Sequence, residues 1–392
     1  MCDIMSSKPD NYHKMYSVDY VLDTFLQKSI LSKKDVEIIR KYISDKIVTS
    51  GSLSVPSQIY QIGRIAAMNK IPPIVEISEL TTDIIFQKVN VMHTMNYTQN
   101  SKRGILSINK PFWKYLSVNN IVNLDIAKIK SIKNVPINFD TTSPDEILSP
   151  DEILSMIANA GSARNRAFIS TLYESAARIS EIAGLKWKDL VFDNNGVGIW
   201  IHDYKTKKNR YTRLFIAEPH LLEHKNNVAR SGKNLNDEYV FISNRKKPLS
   251  YAGYTRLLKR IIKNAGITKR VHLHLLRKSR ITHLSKDGYS EAIIKEIAWG
   301  NQNTNMMRTY SKLSHHDIDA ELLRKSGLQK SETLDTEKLH PIRCLRCGSV
   351  ITPDQKYCSH CGLSRDADIT DANMVIDPEL VAKALKIIMD MK

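Results

Sequence analysis

A chain of 392 residues is longer than one ordinary hydrophobic core needs and is expected to fold as two or three domains. With 42% apolar and 25% charged residues it lies in the globular range, which excludes disorder along most of its length. A formal charge of +17 is unusual for an enzyme of small molecules and favours a polyanionic partner, nucleic acid first, with a face of solvated lysines as the plainer alternative. No run approaches the ~20 apolar residues that cross a bilayer, and the opening MCDIMSSKPDNYHKMYS has no apolar signal core. A cytoplasmic, nucleoid-associated protein without a membrane partner is expected.

Residues 15–130 read as a small helical domain. Ser32 caps a helix whose apolar positions Val36, Ile39, Ile43 and Ile47 share one face. A second helical stretch runs from Ser57 to the break at Ile71-Pro72-Pro73, and two more cover Leu80 to Met95 and Thr98 to Leu116. Lys70, Lys102, Arg103, Lys110 and Lys114 are candidate phosphate contacts, although each taken alone reads as a surface charge. A polar linker over 131–148 follows. The segment SPDEILSPDEIL, Ser143 to Leu154, is a direct duplication, and each copy offers a serine cap, a proline at the first helical position and acids in the first turn. The second copy is taken as the working helix start.

The second domain is expected over 149–328. ARNRAFISTLYESAARISEIAGLKW reads as one helix with Arg178 near its end and a break at Gly184. VGIWIHDY and RYTRLFIA alternate apolar and polar residues around TKKN, as a hairpin does. Helices resume at Tyr251 to Ala265, Arg277 to Asp287, Glu291 to Ala298 and Asp317 to Ser326. The fold class is therefore mainly α with a small antiparallel sheet (α+β). A closing helix is expected over 376–391, with Leu380, Ala384 and Ile388 on a face that packs on this chain or on a copy of it.

Four of the five cysteines lie in RCLRCGSVITPDQKYCSHCG. Cys344, Cys347, Cys358 and Cys361 are spaced C-x2-C-x10-C-x2-C, and Gly348 and Gly362 allow the tight turns that aim two thiolates at one ion. A structural Zn²⁺ ribbon over 342–364 is expected in a reducing compartment, with zinc favoured over iron. His360 is read as solvent-facing, and Cys2 has no evident role.

Tyr310 stands thirty-three residues after the His-Leu-Leu-Arg box His274 to Arg277, which itself follows Arg178 by about a hundred. A nucleophile, two cations and a proton-transfer group are the components of transesterification at a phosphodiester. Around these residues the chain resembles the tyrosine recombinase family, or phage-type integrases. ESAARISEIAGLKWKDL resembles its first arginine box, HLHLLRKSRITHLSKDGYSEAIIKEIAWGN its His-x-x-Arg box and MMRTYSKLS its nucleophile segment. The last two segments, with the cysteine ribbon, are most similar to archaeal and archaeal-virus members.

The resemblance implies a helical core-binding domain joined to a catalytic domain. In it Arg178 and Arg277 would grip the scissile phosphate, and Tyr310 would form a 3′-phosphotyrosine and free a 5′-hydroxyl. His274 would move a proton and Glu181 would orient its neighbours. Lys205 on the hairpin turn corresponds to the family's leaving-group acid, with Lys207 and Lys208 close by. Nine residues before its tyrosine the family usually has His or Trp; here that position is Asn301, and Trp299 is the alternative.

The implied partner is double-stranded DNA, bound by four protomers on two synapsed sites. The implied chemistry uses no metal or nucleotide cofactor, and an accessory factor stays open. Integration or excision of a viral or plasmid genome is the first reading. Resolution of chromosome or plasmid dimers would use the same residues. A non-catalytic DNA-binding regulator is the third, against which the intact Tyr310 argues.

Overall fold

The computed structural model describes residues 17–139, 142–193, 195–203, 209–229, 236–243, 248–310, 313, 317–319, 322–323, 326, 338–348, 350–353, 355–358 and 361–367. Lys205, Lys207, Lys208, His360, Cys2 and the helix expected over 376–391 lie outside them. The chain divides between Thr141 and Thr142 into two compact units.

The first unit is built from α1 (Val18–Gln27), α2 (Lys33–Ser50), α3 (Val55–Asn69), α4 (Thr82–Thr94), α5 (Gln99–Val118) and α6 (Ile126–Ser131). Local signals set the helix starts. Ser32 and Asp35 form a reciprocal capping box, while Thr81, Thr98 and Asp125 each accept the backbone N–H three residues on. Ile39, Ile62, Ile85, Met92, Leu106, Phe112 and Trp113 fill its core. Lys88 is buried there with them, pushed down to about 8 by burial, and donates to the carbonyls of Asn69 and Ile71 at 3.2 and 2.6 Å. Three of the candidate phosphate contacts are committed in the same way. Lys102, Arg103 and Lys110 donate to the carbonyls of His93, Val135 and Ile132, leaving Lys70 and Lys114 as exposed charges.

The second unit opens with the duplicated hexapeptide, whose copies fold differently. The first makes only a 3-10 turn, Pro144–Glu146; the second starts α7 (Pro150–Ala158) with Ser149 and Glu152 in a capping box. A helix running on from the first copy would reach Pro150, which lacks an N–H and forces the preceding residue out of the helical region. Ile147 and Leu148 turn into the core of this unit instead, so the linker is shorter than 131–148: α6 packs with the first unit and residues 142–148 with the second.

The expected long helix around Arg178 is two helices, α8 (Ala163–Glu174) and α9 (Ile179–Ala183). Between them Ala176 adopts φ +48°, a left-handed turn in a non-glycine residue, and Ser175 bridges Thr171 O and the Ala177 N–H. The hairpin forms as expected, β2 (Gly196–His202) against β3 (Asn209–Leu214), with Trp200 opposite Tyr211. A third antiparallel strand, β1 (Leu190–Asp193), pairs with β2 and was not apparent in the sequence pattern. Neither was α10 (Glu218–Ala229). The buried carboxylate of Glu174 accepts the N–H groups of Phe215, Ile216 and Ala217, which fixes the exit of β3 against the end of α8.

Helices α11 (Tyr251–Asn264), α12 (Leu273–Lys286), α13 (Glu291–Trp299) and the short α14 (Met307–Tyr310) follow. The helix expected over Asp317 to Ser326 is described at 317–319 and 322–323, where the backbone is helical. Leu339 inserts into the core of this unit just before β4 (Ile342–Arg343), which pairs with β5 (Val350–Ile351). Lys338 with Asp151 and Arg343 with Asn195 tie the cysteine module to the same unit. Among the described residues no helix is long and apolar enough to cross a membrane.

Candidate active site

The break between α8 and α9 places Arg178 at a helix start, not within a helix as the sequence pattern had suggested. Its backbone N–H donates to Glu181 Oε2 at 2.6 Å. Its Nη1 donates to Glu181 Oε1 at 2.8 Å and to Asp203 Oδ2 at 3.0 Å. Burial opposes the Arg178 charge, but Glu181 and Asp203 more than restore it and hold the group above its ordinary value. The Nε–Nη2 edge of this half-buried guanidinium makes no hydrogen bond to a described residue.

Glu181 is the hub behind it. Arg210 on β3 donates to both of its oxygens, at 3.2 and 2.7 Å, and also to Ile297 O on α13 at 2.8 Å. Burial alone would raise the Glu181 carboxyl; Arg210, Arg277 and Arg178 together hold it below the usual range. The network thereby joins α9, the sheet and α13 around one carboxylate.

Arg277, on α12, is fully buried. Its Nη1 donates to the carbonyl of Ala176, which the left-handed turn directs toward it. Nε and Nη2 are buried and have no hydrogen-bond partner among the described residues. Burial pushes the group down to about 10, an effect that Glu181 partly offsets and that repulsion from Arg178 adds to. The guanidinium lies over the rings of Trp299 and Tyr310, 5.1 and 5.3 Å from their centroids.

Tyr310 ends α14 and is 5% exposed. Its carbonyl accepts from Thr282 Oγ1 on α12 at 3.1 Å, and the Trp299 ring stands nearly perpendicular to it at 5.2 Å. Its hydroxyl is 2.8 Å from His274 Nε2. His274 is pushed down to about 4, by burial first and then by Arg277, Lys278, His272 and Arg178. It is therefore neutral at neutral pH, and Nε2 can accept the tyrosine proton.

Of the residues singled out in the sequence, Arg178, His274, Arg277 and Tyr310 converge here with Glu181 and Trp299. Asn301 is turned toward its own loop, where Oδ1 accepts the Asn303 N–H at 3.1 Å. The indole Nε1 of Trp299 is buried and unpartnered. Lys205 lies outside the described residues, between the end of β2 at His202 and the start of β3 at Asn209. Arg210 and Asp203 were missed. A charged residue in the inward phase of RYTRL, in step with Thr212 and Leu214, was a usable signal for Arg210; Asp203 had none.

His283 and Arg280 serve the interior. His283 Nδ1 is 2.7 Å from the Tyr173 hydroxyl, and Arg280 lies over the Tyr173 ring. In the cysteine module the four Sγ atoms lie within 4.8 Å of one another, with Cys344–Cys361 at 3.4 Å and Cys347–Cys358 at 3.5 Å. A tetrahedral Zn²⁺ with bonds of about 2.3 Å needs sulfurs about 3.8 Å apart, so the donor set and its spacing fit that ion.

Residues 146–316 match the phage integrase family. The chain is 25% identical over 249 residues to tyrosine recombinase XerC of Bacillus pumilus, covering 60% of this chain and 79% of that protein. Among solved structures it resembles the XerH site-specific recombinase in a post-cleavage complex with palindromic difH substrate: TM-score 0.55, 17% identity, 79% of this chain and 94% of the other. It also resembles a lambda integrase dimer bound to a COC′ core site, with TM-score 0.54, 17% identity, 70% of this chain and 76% of the other. At these identities the structural likeness speaks to fold.

Proposed function

We propose that this chain, whose residues 146–316 match the phage integrase family and which is 25% identical over 249 residues to a tyrosine recombinase, is a site-specific DNA recombinase that cuts and rejoins strands through a 3′-phosphotyrosine at Tyr310. The observation that carries the proposal is shared by Arg178 and Arg277. Each guanidinium is tied through Nη1, and among the described residues its Nε and Nη2 make no hydrogen bond, beside a tyrosine hydroxyl in contact with a neutral histidine. An open guanidinium edge is the paired-donor surface that a phosphate's non-bridging oxygens accept.

In the proposed reaction the Tyr310 Oη attacks phosphorus and its proton passes to His274 Nε2. The bond from phosphorus to the 5′-oxygen breaks, and Lys205 protonates the departing oxygen. Arg178 and Arg277 stabilise the extra charge of the pentacoordinate state. The phosphotyrosine keeps the energy of the broken ester, so a 5′-hydroxyl from a partner strand can reverse the step and exchange strands. These steps are assigned to side chains alone. Cys344, Cys347, Cys358 and Cys361 would hold one Zn²⁺, which supplies folding energy to the ribbon.

The helical first unit and the net charge of +17 are assigned to binding the duplex. Two duplexes present four strands to cut, so four protomers on two sites is the proposed assembly. Integration or excision of a mobile genome is one use of this chemistry. The match to XerC favours a second, Xer-like resolution of dimeric replicons. A plasmid carrying two copies of the target site, resolved without any attachment site, would select the latter.

The deciding experiment is covalent capture. The full chain is incubated with a pool of nicked random-sequence duplexes, and adducts are recovered after denaturation. The expected result is a DNA adduct on Tyr310 that Tyr310→Phe abolishes while duplex binding is retained. An adduct that survives in Tyr310→Phe would refute the nucleophile assignment.

A further inference from the structure

Asp203 lies at the end of β2, beyond the sheet register, and its side chain is 6% exposed. It meets Arg178 from a different element than Glu181 does, and both carboxylates converge on the same nitrogen, Nη1. A guanidinium held by one carboxylate can swing about that contact and offer either edge. Two acceptors on one nitrogen, approached from α9 and from the sheet, remove that freedom and leave only the Nε–Nη2 edge for a ligand. Glu181 cannot set this orientation alone, because its two oxygens are shared with Arg210.

We propose that Asp203 is a positioning residue for strand cleavage, which fixes Arg178 so that its Nε–Nη2 edge meets the scissile phosphate. The proposal rests on the recombinase reading. It makes a demand that a merely structural carboxylate does not. Asp203 is an anion 3.0 Å from a phosphate-binding cation, so removing its charge leaves Arg178 more attractive to a phosphate while releasing its orientation. Binding and rate should therefore separate.

The test uses the full chain and the nicked duplex recovered by covalent capture with the parent protein. For Asp203→Asn the expected result is a single-turnover cleavage rate about 10- to 30-fold lower, with duplex Kd unchanged or tighter. Asp203→Glu, which restores the carboxylate, should recover the rate to within about threefold of the parent. A parent-like rate in Asp203→Asn overturns the inference and leaves the recombinase reading intact. Loss of rate and affinity in parallel, without recovery in Asp203→Glu, also overturns it, since that is the pattern of a damaged fold. A parent chain that forms no adduct with any duplex overturns both.

Discussion

Arg277→Met should abolish cleavage and at the same time make the DNA-free protein more stable. The side chain is fully buried, and its Nε and Nη2 have no partner among the described residues. Its fall from the ordinary guanidinium range to about 10 corresponds to a net cost of about 3 kcal/mol for the charged form. Methionine removes that cost at similar volume. Against it stands the Ala176 carbonyl, which loses its donor at a cost of about 1–3 kcal/mol. The contacts over Trp299 and Tyr310 are largely replaced by sulfur–aromatic ones. The balance favours the variant by about 1 kcal/mol, a rise in Tm of about 2–4 °C for a unit of this size. Differential scanning calorimetry of the parent and variant without DNA reads it directly. The duplex should then raise the Tm of the parent by more than that of the variant, because only the parent has donors for the phosphate to satisfy. A fall in Tm of several degrees in Arg277→Met would refute the reasoning, since Arg277 would then be a net structural residue.

Asn301→Ala should lose about 0.5–1.5 kcal/mol of stability with the Asn303 N–H contact and change single-turnover cleavage by less than threefold. A hundredfold loss of rate would return Asn301 to the phosphate. With His274 at about 4 in the free protein, cleavage that needs its neutral form should hold from pH 7.5 to about 5 and fall below that; an acid limb centred at 6.5 would contradict the burial argument. Stability behaves differently over the same window. His283, 3% exposed and pushed down to about 3 by burial, stays neutral in the fold while the unfolded chain takes up its proton below about 6.5. It should therefore contribute a loss of up to ~1.4 kcal/mol per pH unit on acidification from 6.5 toward 3, and His283→Gln should flatten the denaturation profile there. Metal analysis should find one Zn²⁺ per chain, with four thiols becoming titratable on chelation. Covalent capture at Tyr310 should survive that treatment within about threefold, because Leu339 and the Lys338–Asp151 pair anchor the chain ahead of the ribbon.

The elements that carry periodicity were legible in the sequence. The helices of the first unit, the β2–β3 hairpin, α11 and α13 each bury one stripe or one strand face, and burial of that kind writes itself into residue spacing; α12 is buried on all sides and was legible through its His-x-x-Arg box instead. The misreadings occur where long-range contacts decide. ARNRAFISTLYESAARISEIAGLKW has no proline or glycine to stop a helix before Gly184, and its break at Ala176 is held by Ser175 and by the distant Arg277. Strand β1 is only four residues long, and α10 has a weak apolar face, so neither stood out. For the site, the reactive side chains were visible through their motifs, whereas their supports were not. Asp203 reaches Arg178 across 25 residues of sequence and Arg210 reaches Glu181 across 29, and a single chain does not advertise such pairs.

The broken helix is what makes these separate motifs one site. An unbroken helix would carry Arg178 on past Glu174 and leave the Ala176 carbonyl bonded within its own turn, with nothing to hold Arg277 Nη1. The left-handed turn at Ala176 costs on the order of 1–2 kcal/mol in a non-glycine residue. In return it frees one carbonyl to orient Arg277 and sets Arg178 where Glu181 and Asp203 can fix it. The same pocket keeps two buried guanidinium donors and the Trp299 Nε1 without partners among the described residues, each of which lowers the stability of the free protein. A phosphate oxygen bound against Arg277 would satisfy donors that the fold leaves unmet. On that argument the strain and the unmet hydrogen bonds have one cause: the pocket is shaped for an anion that the chain itself does not supply.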